Sequence, residues 1–128
     1  YTAINKKSAM RQDYKALISL FPTRCGGRES DIHTEYNPNL VFGYLIKNLS
    51  NLWKENRYFY DDADNNAIRN ADAEIHLPQK FLSPGEAGII FLRFKGGREN
   101  YIGTELLKVG TPFLIREGGR VIGTGKLL

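Results

Sequence analysis

Gly123-Thr124-Gly125-Lys126 resembles the end of a phosphate-binding loop, which makes it the first place in this chain to look for chemistry. A working loop also needs an upstream glycine, a Ser or Thr after the lysine, and a helix whose N-terminus points at the phosphate. Arg120 stands at the glycine position, Leu127 follows the lysine, and no helical pattern comes next, so no nucleotide is expected to bind. Asp62, Asp64 and Asn66 have the alternate spacing that opens a Ca²⁺ loop. Ala67 sits where that loop needs its glycine, Ala73 where it needs its bidentate Glu, and Glu74 comes one residue late, so 61–73 is expected to be a solvated acidic loop or one or two helical turns. Cys25 has only His33 and His76 as candidate bases. Nucleophilic catalysis needs a base and a third positioning group, and zinc needs more ligands than these. The expectation is a chain with no catalytic residues, no metal and no cofactor.

Binding chemistry is better represented. Arg24, Arg28, Arg116, Arg120 and Lys126 lie in or beside two Gly-rich turns. Such turns let a phosphate backbone approach closely, and Arg can hold its oxygens with a bidentate fork. The alternative is that these arginines form a solvated rim, or pair with Glu29, Asp31 and Glu117.

The elements that must position these residues read as strands. Phe113–Ile115 and Val121–Ile122 flank Glu117-Gly118-Gly119-Arg120, and a Gly-Gly pair between β-rich runs signals a tight hairpin. One or both glycines should have φ > 0, with Phe113 and Ile115 on one face and Leu114 and Arg116 on the other. Further strands are expected at 14–21, stopped by Pro22, at 40–46, at 51–60, at 73–77, and at 87–94 after the turn Pro84-Gly85-Glu86. Tyr36-Asn37-Pro38-Asn39 reads as a turn, as does 95–100. Residues 1–11 read as a loose tail, and 12–128 as one domain. Met10 is the single methionine and is read as the native start, with a piece cut from a longer protein as the competing reading.

Composition agrees with a small barrel. Apolar residues make up 41% of the 128, charged residues 25%, and there are 13 Gly for turns. The net charge of +4 permits an anionic partner without requiring one. One Cys fits a reducing compartment, and no apolar run has the length of a membrane span, so a cytoplasmic placement without membrane contact is expected.

Three of these blocks, in order, resemble the third, β-barrel domain of elongation factor Tu. The first is the strand, Gly26-Gly27-Arg28, Tyr36-x-Pro38-x and the Phe42-bearing strand. The others are Pro84-Gly85-Glu86 with its strand, and the hairpin Phe-x-Ile-Arg-Glu-Gly-Gly-Arg-x-Ile-Gly-x-Gly of 113–125. The resemblance covers about half the chain. It implies an all-β fold, a roughly six-stranded antiparallel barrel, with 48–83 as a non-family insert. It also implies a non-catalytic module linked to translation, weakly contacting the tRNA backbone or a translation-factor partner. By motif position the contacts fall on Arg28, Asn39, Glu117 and Gly118, joined by Arg116 and Arg120. Glu29 stands where the family often has His. Two other readings stay open: an adaptor or immunity-type inhibitor that binds protein through Trp53, Tyr58, Phe59 and Tyr60, and a fragment of a larger translational GTPase.

Overall fold

Alternation decides the first strand. In β1 (Tyr14–Leu20), Ala16, Ile18 and Leu20 are buried, while Lys15, Leu17 and Ser19 face water. The structure, a computed structural model, describes residues 13–42 and 69–128. Within them the chain continues through β2 (Ile32–His33), β3 (Asn39–Phe42), β4 (Arg69–His76), β5 (Phe81–Leu82) and β6 (Ala87–Phe94). A short helix α1 (Arg98–Ile102) then leads to the hairpin β7 (Pro112–Glu117) and β8 (Arg120–Leu127).

Six of these strands close into an antiparallel barrel in the order β1-β6-β4-β3-β7-β8, with β8 pairing back on β1. Closure pairs each of these six strands on both sides among the described residues, which is how small barrels avoid edge-to-edge association. β2 and β5 form a separate two-stranded sheet. The interior is filled by Ile18, Leu40, Ile75, Ile90, Leu92 and Ile115 together with the rings of Phe42, Phe94 and Phe113. Phe42 packs against Phe113 at 5.4 Å and Phe94 at 6.3 Å between ring centroids. Side chains of this size contribute about 1.5–3 kcal/mol each when fully buried.

The two small residue types in the wall follow from those rings. Gly125 is the cross-strand partner of Phe113, and the ring occupies the space a Cβ would need there. Ala71 and Ala73 are buried on β4, with Ala73 opposite Phe94.

β4 corrects the expectation of a loop or helical turns up to residue 73 and a strand only from 73 to 77. The strand already runs at Arg69 and ends at His76. Alanine and aspartate have little β-propensity, but pairing with β3 (Asn39↔Asp72) on one side and β6 (Ala73↔Phe94) on the other overrides it. The turn expected at 95–100 is likewise part helix, α1 beginning at Arg98. β1 ends one residue before Phe21, and β3 starts one residue before Leu40. The expected strand at 51–60 and residues 43–46 lie outside the described residues. No helix among the described residues is long and apolar enough to cross a membrane.

Candidate nucleic-acid interface

Arg28 reaches the hairpin because the chain turns sharply after β1. Phe21 N–H donates to the carbonyl of Ile122, fixing the exit from the barrel, and a 3₁₀ turn follows at Thr23–Cys25. Cys25 and Gly27 N–H both donate to the Pro22 carbonyl, at 2.9 and 3.0 Å, and Thr23 Oγ1 donates to the Arg28 carbonyl at 2.6 Å. These bonds satisfy the loop locally and turn Arg28 back over the tip of β7.

There the guanidinium is held on every side. Nη1 pairs with Glu117 Oε2, Nε donates to the Ser30 carbonyl at 3.1 Å, and Nη2 donates to Ser30 Oγ and the Asp31 carbonyl at 3.1 and 3.3 Å. Its planar face lies 4.9 Å from the centroid of the Tyr36 ring. Tyr36 Oη donates to the same Glu117 Oε2 at 2.5 Å. Tyr36 is itself fixed by the barrel, since its carbonyl accepts from Ile75 N–H at 2.7 Å. Burial pushes the Tyr36 phenol up to about 12, against the lowering influence of the nearby Arg28 and Arg120 charges.

The remaining candidates surround this clamp. Glu117 and Arg120 are cross-strand partners either side of Gly118-Gly119. Gly118 has φ of 56°, while Gly119 lies outside the left-handed region, the pattern of a type II′ hairpin turn with glycine at its first central position. Asn39 is the register partner of Arg116, one strand away. Its Nδ2 donates to Asn70 Oδ1 and Asp72 Oδ1 at 3.2 and 3.0 Å, and its buried Oδ1 accepts no hydrogen bond among the described residues.

Arg28, Asn39, Arg116, Glu117, Gly118 and Arg120 therefore share one end of the barrel. Their roles differ. Arg28 has little of its donor fork left for an outside phosphate, and acts as the strut that holds the loop after β1 against the hairpin. It also pairs with Glu117, and Arg116 and Arg120 are the cationic side chains that flank that carboxylate in the hairpin. Tyr36 is the member that sequence reasoning missed as a participant. It was visible only as the aromatic of the Tyr-x-Pro-x turn, whereas its hydroxyl joins the clamp.

Other candidates fall elsewhere. Gly123, Thr124, Gly125 and Lys126 lie in β8, paired with β7 and β1, so their backbone is in a ladder rather than a loop. Cys25 is half-buried and forms no disulfide among the described residues. Among the described residues no three His, Cys, Asp or Glu side chains cluster as metal ligands. Trp53, Tyr58, Phe59, Tyr60, Asp62, Asp64 and Asn66 lie outside the described residues. Neither protein-family models nor curated proteins give a match to this chain.

Proposed function

We propose that this chain is a non-catalytic binding barrel, similar to the third domain of elongation factor Tu, whose hairpin end meets the sugar–phosphate backbone of a folded RNA such as tRNA. The observation that supports this reading is the convergence of residues from separate sequence blocks, Arg28, Asn39 and the 116–120 hairpin, on one end of the barrel. Arg116 and Arg120 supply the charge. The Arg28–Glu117–Tyr36 clamp supplies a fixed platform for them. Backbone contacts of this kind position an RNA without reading its sequence. Affinity is weak, because Glu29 is exposed beside the clamp and its charge opposes phosphate.

Binding of tRNA to the full chain, followed by fluorescence anisotropy across a salt series, tests the proposal. Log affinity should fall linearly with log salt, and Arg116→Ala or Arg120→Ala should each reduce that slope by about one. Two unrelated tRNAs should be affected alike. Binding that is absent at low salt, or a slope indifferent to both substitutions, rejects the reading.

A further inference from the structure

A different surface lies on the wall opposite β7. Around the closed barrel β6 stands three strands from β7 in either direction. On its outer face Ile89 is the cross-strand partner of Leu17, and Phe91 of Lys15. Leu17, Ile89 and Phe91 are 40%, 41% and 36% exposed. A water-facing antiparallel wall ordinarily alternates apolar-in with polar-out, and this pair of strands puts apolar side chains on its outside in adjacent registers.

The charges around the strip are uneven. Along the β4 side they are matched, Glu74 taking His76 at 2.8 Å and Lys95 at 3.7 Å, and at the end of the β1–β6 pair Arg93 takes Asp13 at 2.9 Å. Along the β8 side, Lys126 is the partner of Leu17, and Lys15 adjoins Phe91. Neither lysine pairs with a carboxylate among the described residues. The face is thus an apolar strip with an uncompensated positive margin on one side. A second copy of the chain would complement it poorly through this same face, because Glu74 and Asp13, the carboxylates that border the strip, are already paired.

We infer that the outer face of β1 and β6 docks an acidic amphipathic segment of a partner protein. Apolar side chains of that segment cover Leu17, Ile89 and Phe91, and its carboxylates meet Lys15 and Lys126. Desolvated apolar anchors supply the affinity, and the charged margin fixes the orientation and excludes basic segments. The surface is separate from the hairpin end, so RNA and protein can be held together.

The probe is a random dodecapeptide library displayed on phage, selected on the full chain and counter-selected on the Ile89→Ser/Phe91→Ser variant. Both side chains point away from the core, and thermal unfolding checks that the variant stays folded. Enriched peptides should combine Leu, Ile or Phe with Asp or Glu. A synthetic copy should bind the wild type about tenfold more tightly than the double serine variant, and about fivefold more tightly than Lys15→Glu/Lys126→Glu. The inference is overturned by any of three results: no enrichment over the counter-selection, enriched peptides without acidic bias, or binding unmoved by the lysine reversals. It is also overturned if sedimentation shows a dimer that Ile89→Ser/Phe91→Ser dissolves, since the strip would then belong to a second copy.

Discussion

The guanidinium of Arg28 pairs with the carboxylate of Glu117, fastening the loop that follows the first strand to the tip of the last hairpin. Both side chains are mostly shielded, at 19% and 30% exposure. Tyr36 adds its hydroxyl to the same carboxylate oxygen, so either substitution removes part of a shared arrangement. Arg28→Ala and Glu117→Ala should each cost about 1–3 kcal/mol in urea unfolding, since each takes the opposite charge away from a partly buried ionic group. The double variant should fall short of their sum by about 1 kcal/mol. Strict additivity would mean that the two residues act independently.

The clamp also makes the chain alkali-sensitive in a defined window. Tyr36 has its phenol raised from the ordinary value of 10.0 to about 12, first through burial. The folded protein therefore holds this proton where the unfolded chain loses it, and stability attached to Tyr36 is complete below about pH 10 and lost as pH rises towards 12. Tyr36→Phe should flatten that part of the stability–pH curve, measured by urea unfolding at stepped pH. Titration of ¹³C-labelled tyrosine should show a ring titrating well above 10, and its disappearance in Tyr36→Phe assigns it.

At the hairpin tip the two glycines are not equivalent. Gly118 has φ of 56° and Gly119 does not share this region. Gly118→Val should destabilise by about 1–2 kcal/mol through backbone strain. Gly119→Ala should stay within about 0.5 kcal/mol of wild type, since nothing lies within 4 Å of the added carbon. If the turn also presents Arg116 and Arg120 to RNA, Gly118→Val should weaken tRNA binding while Gly119→Ala leaves it unchanged.

Much of the barrel could be read from the chain because period-2 burial and Gly or Pro turns punctuate it, as at 14–20, 84–94 and 113–125. β4 could not. Its inward residues Ala71 and Ala73 are small because Phe94 stands across from Ala73, and a tertiary fit of that sort leaves no local β signal. At the site, Arg28 and Glu117 were both singled out as contacts, yet which of the neighbouring carboxylates Arg28 would choose depended on the turn after β1. The outer strip was hidden for the opposite reason. Ile89-Ile90-Phe91-Leu92 is apolar throughout, a run that sequence logic assigns to a strand buried on both faces, whereas only Ile90 and Leu92 are buried.

Gly125 separates a structural from a nucleotide-binding role for the final glycines. In a phosphate loop, Gly125→Ala would act on ligand affinity, because backbone must approach phosphate there. In β8 the added Cβ would overlap the Phe113 ring on the neighbouring strand β7, so the substitution should act on stability instead. Overpacking of this kind costs about 1–3 kcal/mol. Phe113→Leu alone should also destabilise, through the volume it vacates beside Phe42. Combined, the smaller side chain makes room for the new methyl, so Gly125→Ala/Phe113→Leu should be more stable than the sum of the single effects by about 1 kcal/mol or more. Urea unfolding of the four proteins measures this coupling, and calorimetric titration with GTP and Mg²⁺ should show no binding to the wild type. Additive destabilisation would remove Phe113 as the reason for the glycine, and micromolar GTP binding would return Gly123–Lys126 to the phosphate-loop reading.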